Sequence, residues 1–248
     1  MVKGLDTFRR YFADYEEQYV LIGGAACDIL FESNEVNFRA TRDLDMVLIV
    51  EALTPEFGEK FWEFIVDGKY RNKATNGSNP QFYRFDKPED DEFPKMIELF
   101  CRSDFKLKNA KGITPIHIDD EVSSLSAILL NDDYYKALLN GKEVRNGLSV
   151  LRPEYIILFK AKAYLDLQKR KDSGEKLDSS DIKKHKKDVL RIASELMLEK
   201  VEELPIAVDA DIHSFIDLLE QEPFDQNSLK RYGLKNENVV ELLKRVFG

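Results

Sequence analysis

The sequence predicts an α+β fold: a mixed β-sheet with flanking helices over residues 1–150, and a helical bundle over residues 151–248. Three observations predict it. Short apolar runs bounded by turn residues, the mark of buried strands, all fall before Leu151. From Pro153 onward apolar residues recur only at helical spacing. A length of 248 residues suits one large domain or two small ones, and 43% hydrophobic with 33% charged residues is too apolar for disorder and too charged for a membrane protein.

The elements follow in chain order. Leu5, Phe8, Phe12, Tyr15 and Tyr19 recur every three or four residues, which predicts an amphipathic helix over 4–18. Tyr19-Val20-Leu21-Ile22 reads as a buried strand ending in a Gly23-Gly24 turn, with a helix from Ala25 to Phe31. Asp43 to Val50 alternates and then turns wholly apolar, as a central strand does. Thr54 is a cap residue and Pro55 suits a first helical position, so a helix starts there and carries Phe57, Phe61, Trp62 and Ile65. Asn72 to Pro80 is turn-rich, and Gln81–Phe85, Lys95–Cys101, Ile113–Ile118 and Lys142–Val150 read as strands. In the second half, helices are predicted over 153–172, 180–199 and 211–221, with two short ones within 226–247.

Several functions are excluded by absence. No apolar run approaches the roughly 18–20 residues that cross a bilayer, and Asp6, Arg9 and Arg10 interrupt any apolar leader, so a cytoplasmic location with no membrane partner is expected. Two cysteines, Cys27 and Cys101, fit a reducing compartment. His117, His185 and His213 lack the spacing of a zinc enzyme, and no P-loop, dinucleotide or hydrolase glycine motif is present. The net charge of −9 opposes wholesale coating of nucleic acid, although residues 151–200 alone are basic, with 13 Lys+Arg against 9 Asp+Glu.

The sharpest feature is Arg39-Ala40-Thr41-Arg42-Asp43-Leu44-Asp45-Met46. Side chains alternate along a strand, so Asp43 and Asp45 share a face about 6–7 Å apart while Leu44 and Met46 face a core. Paired carboxylates repel unless a cation lies between them, and a hard divalent ion with oxygen ligands is the usual one. Two solvated carboxylates at a strand end are the ordinary alternative. Upstream, Gly23-Gly24 would let backbone approach a ligand closely, with helix-start amides suited to phosphate. Glu98, in Met96-Ile97-Glu98-Leu99-Phe100, is an acid inside an apolar strand, costly unless paired or metal-bound. Lys160 lies within the apolar stripe of helix 153–172, about 200° from Lys162, so these two lysines cannot serve one site. His185 falls on the apolar face of helix 180–199, Asp188 on its flank, and Lys187 outward.

Ile22-Gly23-Gly24 followed by Arg39-x-Thr41-x-Asp43-Leu44-Asp45 resembles the DNA polymerase β-like nucleotidyltransferase superfamily, and within it the AbiEii/AbiGii toxin branch. The spacing of eighteen residues between Gly24 and Asp43 is similar to that branch. The likeness covers residues 19–50 well and 150–192 loosely, where Lys160 to Ala163 and Lys187-Asp188 fit branch motifs. Arg191 stands where the branch has a further acid.

The resemblance implies a nucleotidyltransferase-type sheet and a metal-dependent transfer of an NMP from an NTP to an acceptor, with tRNA or another RNA as the acceptor class. Asp43 and Asp45 would hold two Mg²⁺ ions (or Mn²⁺) about 3.5–4 Å apart, with Glu98 as third carboxylate and Asp104 as its substitute. Gly23, Gly24, Arg39, Thr41, Lys160, Lys187 and Asp188 would bind the nucleotide, and the helical half would complete the cleft. A cognate antitoxin protein is the partner such a toxin would have. Competing readings are a small-molecule (aminoglycoside-type) nucleotidyltransferase and a non-catalytic NTP-binding or interaction module. A D-x-D glycosyltransferase would need a longer nucleotide-binding region than the 42 residues before Asp43.

Overall fold

Four consecutive buried residues, Tyr19–Ile22, form strand β1 near the middle of a six-stranded sheet. The computed structural model describes residues 3–32, 43–70, 82–100 and 131–248. Among these, the chain divides into two compact units, drawn from Met1–His117 with Lys142–Leu151 and from Ile118–Gly141 with Arg152–Gly248. The architecture is α+β: a mixed sheet with helices, then a region of several helices.

The first unit contains helix α1 (Leu5–Phe12), β1, α2 (Gly23–Glu32), β2 (Asp43–Leu48), α3 (Pro55–Asp67), β3 (Phe82–Asp86), β4 (Met96–Phe100), β5 (Lys142–Arg145) and β6 (Leu148–Leu151). The strand order is β3-β4-β2-β1-β6-β5. β2 runs antiparallel to β1 and parallel to β4; β3 is antiparallel to β4, and β6 is parallel to β1. Leu44, Met46 and Leu48 of β2 are fully buried, and they share a face with Tyr19 and Phe85 through the strand register. Aromatic rings of α1 and α3 cover that face. Phe12 has its ring centroid 4.5 Å from Phe8, 5.3 Å from Phe64 and 5.8 Å from Phe57, in tilted and edge geometries that suit ring quadrupoles. Pro55 opens α3 as expected, with Thr54 Oγ1 accepting from the Phe57 N–H at 3.3 Å.

Three differences from the sequence expectation have local causes. The predicted helix over 4–18 ends at Phe12. Successive tight turns, Tyr15 N–H to Phe12 O and Gln18 N–H to Tyr15 O, keep Tyr15 against Phe12 and so preserve helical spacing without a helix. The predicted strand over 142–150 is a hairpin, because Asn146 and Gly147 both adopt positive φ (51° and 71°) and form a two-residue turn. Helix α2 begins at Gly23 itself rather than after a Gly-Gly turn. The strand candidate Ile113–Ile118, together with Cys101, lies outside the described residues.

The second unit contains α4 (Asp132–Asn140), α5 (Pro153–Asp172), α6 (Ser179–Glu195), α7 (Ile206–Gln221), α8 (Gln226–Tyr232) and α9 (Asn236–Phe247). α5 packs on α6 and α7, and α7 packs on α4 and α9. α4 was not foreseen; its N-cap Asn131 accepts from the N–H groups of Asp133 and Tyr134. α7 starts five residues earlier than predicted, where Asp133 Oδ2 accepts from the Ala207 N–H at 3.0 Å and satisfies its first turn. Among the described residues, no helix is long and apolar enough to cross a membrane.

Phe12 is fully buried at the centre of the aromatic layer. Phe12→Ala is expected to destabilise the first unit by about 3–5 kcal/mol, read as a lower denaturation midpoint in urea, with Phe12→Leu milder.

Candidate functional site

The site grows from the alternation of β2. Asp43 and Asp45 lie on one face and are part-exposed, opposite the buried Leu44 and Met46. The register then sets their neighbours. Asp45 lies between Ile22 of β1 and Glu98 of β4, and Glu98 lies between Asp45 and Arg84 of β3. A single row across four strands therefore reads Ile22, Asp45, Glu98, Arg84. In the next row, Asp43 aligns with Met96 and Asp86. Neighbouring strands are about 4.8 Å apart, so the Asp45 and Glu98 side chains leave the sheet close together on one face.

Gly23 joins this row to the start of α2. Its φ of +63° is a left-handed conformation that favours glycine, and a Cβ there would overlap the Asp45 carboxylate. The residue is thus constrained twice, by backbone and by neighbour. Because α2 starts at Gly23, with Gly24 second, its N-terminus lies against Asp45. Unsatisfied amides and the positive end of the helix dipole favour anions at such a place.

Glu98 is buried, at 8% exposure, and its charge is met by an arginine. Arg84 Nε donates to Oε1 at 2.8 Å, and Arg84 Nη2 donates to the same oxygen. Charge-assisted bonds of this kind are strong. Among the described residues, no three His, Cys, Asp or Glu side chains are grouped to hold a metal ion. The donor set on this face is instead a pair of aspartates, with Glu98 engaged by Arg84. Two carboxylates fit a Mg²⁺ ion that arrives with phosphate oxygens already attached, since Mg²⁺ usually takes one or two carboxylates and fills its remaining positions from phosphate and water.

In the second unit, Lys160 and Asp188 pair at 3.1 Å with 12% and 8% of their side chains exposed, tying α5 to α6. Both were expected to contact nucleotide; the structure brings them to each other. Lys187 is exposed on α6, and His185 is buried on its apolar face, as their helical positions suggest. Lys162 reaches elsewhere, to Asp166 and Asp211, each at 3.1 Å. Lys186 sits over the rings of Tyr164 and Phe224 and donates to the Glu222 carbonyl. Burial pushes its pKa down. Arg39, Thr41 and Asp104 lie outside the described residues. Arg84 was missed from sequence, although it is the one cation in an otherwise aromatic strand, Phe82-Tyr83-Arg84-Phe85.

No family model matches the chain, and no curated protein matches it. Among solved structures, it is similar to an antigenic nucleotidyltransferase-like protein from Paracoccidioides brasiliensis, at 16% identity and a TM-score of 0.46, over 94% of this chain and 96% of that one.

Substitutions at two places, the Gly23–Asp45 contact and the Lys160–Asp188 pair, test this geometry. Gly23→Ala is expected to cost about 1–2 kcal/mol from its left-handed backbone, and more from the overlap with Asp45. In an Asp45→Ala background the overlap part disappears, which a urea double-mutant cycle reads directly. Asp188→Ala removes the 3.1 Å partner of Lys160 in a nearly buried position and is expected to cost about 3 kcal/mol, whereas Lys160→Met with Asp188→Leu recovers most of the loss. Denaturation midpoints of the single and double variants check this.

Proposed function

We propose that the chain is a metal-dependent nucleotidyltransferase, moving an NMP from an NTP to an acceptor hydroxyl. The observation that carries this reading is the juxtaposition of Gly23 and Asp45. It makes one site of two motifs that could have been unrelated: a glycine-started helix N-terminus suited to phosphate, and a same-face aspartate pair suited to a divalent ion.

In the reaction, the acceptor oxygen attacks the α-phosphorus, the bond from that phosphorus to the β-phosphate bridging oxygen breaks, and pyrophosphate leaves with the electron pair. Asp43 and Asp45 would hold Mg²⁺, which supplies charge neutralisation of the phosphates and acidifies the acceptor hydroxyl when bound. The first amides of α2, at Gly23 and Gly24, would bind phosphate oxygens and orient the triphosphate. Glu98, beside Asp45 in the same row, would take up the hydroxyl proton or complete the ion's ligands. RNA, including tRNA, is the acceptor class we propose.

A second reading has its own support. Engagement of Glu98 by Arg84 suits a module that binds NTP without transferring from it. One experiment separates the two: incubation with each labelled NTP, Mg²⁺ and total tRNA, resolved on a gel. Labelled tRNA supports transfer, label in a small product points to a small-molecule acceptor, and NTP binding with no turnover favours the module. Asp45→Asn is expected to reduce transfer below detection while leaving the circular dichroism spectrum and denaturation midpoint unchanged. Wild-type incorporation by this variant would overturn the assignment.

A further inference from the structure

We infer that Arg84 is a positioning residue of the carboxylate site, competing with a divalent cation for Glu98. The inference rests on the nucleotidyltransferase reading for the identity of the ion, and on the sheet register for its geometry. Asp45 and Glu98 are partners on adjacent parallel strands, and their like charges repel across about one strand spacing. Glu98 is nearly buried, so its charge needs a counter-charge at close range. Arg84 provides it from the other side, in direct register across the β3–β4 pair, with two N–H donors on the one oxygen Oε1.

The guanidinium thus occupies the place on Glu98 that a cation would take. Both of its donors meet Glu98 at Oε1. Two consequences follow. A free divalent ion meets an aspartate pair beside an arginine, so its binding is weakened. An ion that arrives on a triphosphate brings extra negative charge, which offsets the arginine. Arg84 therefore biases the site toward nucleotide-borne metal over metal alone.

Binding of free Mn²⁺ to the full chain, followed by electron paramagnetic resonance without nucleotide, tests this apart from activity. Arg84→Met is expected to tighten Mn²⁺ binding by about threefold to tenfold, the size of one unit charge a few ångströms away in a solvated site. Arg84→Lys, which restores the charge, is expected to return the affinity to the wild-type value. A merely structural role in joining β3 to β4 predicts unchanged or weaker binding in Arg84→Met, and that result overturns the inference. Should Arg84→Met fail to fold, Arg84→Gln keeps a donor for Glu98 and carries the same expected tightening. Asp45→Asn is the control on the site itself. Loss of Mn²⁺ binding there with an unchanged Arg84→Met affinity sinks the role of Arg84 alone. Retained Mn²⁺ binding in Asp45→Asn sinks the metal-site reading, and this inference with it.

Discussion

The close approach of the Gly23 backbone to the Asp45 carboxylate is the constraint on which the candidate site depends. It exists because β1 and β2 are antiparallel neighbours in a register that places Ile22 beside Asp45, so the residue after β1 must turn over the carboxylate. Only a residue without a Cβ can do so at a φ of +63°. The helix that follows starts with its N-terminus against an anion. The same register sets Glu98 on the far side of Asp45, and Glu98 in turn fixes what β3 must present. A neutral residue at position 84 would leave a nearly buried carboxylate beside another carboxylate. Asp45, Glu98 and Arg84 are therefore one electrostatic unit across three strands, and each limits the next.

How much of this was legible from sequence follows the range of each interaction. The shared face of Asp43 and Asp45 was legible because strand alternation is local and has period two. The need for glycine before α2 was legible as a preference for close approach, but not its object, because Asp45 lies 22 residues further on in the chain. Glu98 was found because an acid inside an apolar strand is conspicuous. Its partner was not, since the pairing of Arg84 with Glu98 depends on the register of two strands and no local pattern encodes it. Lys160 and Asp188 show the same division. Helical phase placed Lys160 within an apolar stripe and Asp188 on a flank, yet their contact depends on how α5 lies on α6, which no local pattern encodes. The overshoot of the first helix to residue 18 has another origin: tight turns can maintain three- and four-residue spacing of aromatics without helical backbone.

Charge distribution bears on the acceptor. The net charge of −9 argues against a general nucleic-acid coat, and the basic stretch over 151–200 was the counter-observation. Within the second unit, much of that positive charge is committed to neighbours in the same unit. Lys160 is paired with Asp188, Lys162 with Asp166 and Asp211, Arg170 with Glu175, Arg191 with Glu195, and Lys186 is drawn down over two aromatic rings. Lys160 and Lys162 join neighbouring helices, whereas Arg170 and Arg191 pair within five residues of themselves, and a phosphate backbone would have to displace these carboxylates to reach the four. Lys183 and Lys187 remain exposed on α6, a helical turn apart. With Lys169, Lys171, Lys176 and Lys200 also exposed in this stretch, each lysine that meets a phosphate adds about one counterion to the salt dependence of binding. The salt slope of binding would therefore count the lysines that an acceptor RNA engages. Under the proposed function, the choice of acceptor would rest on such contacts together with the reacting end at the carboxylate face.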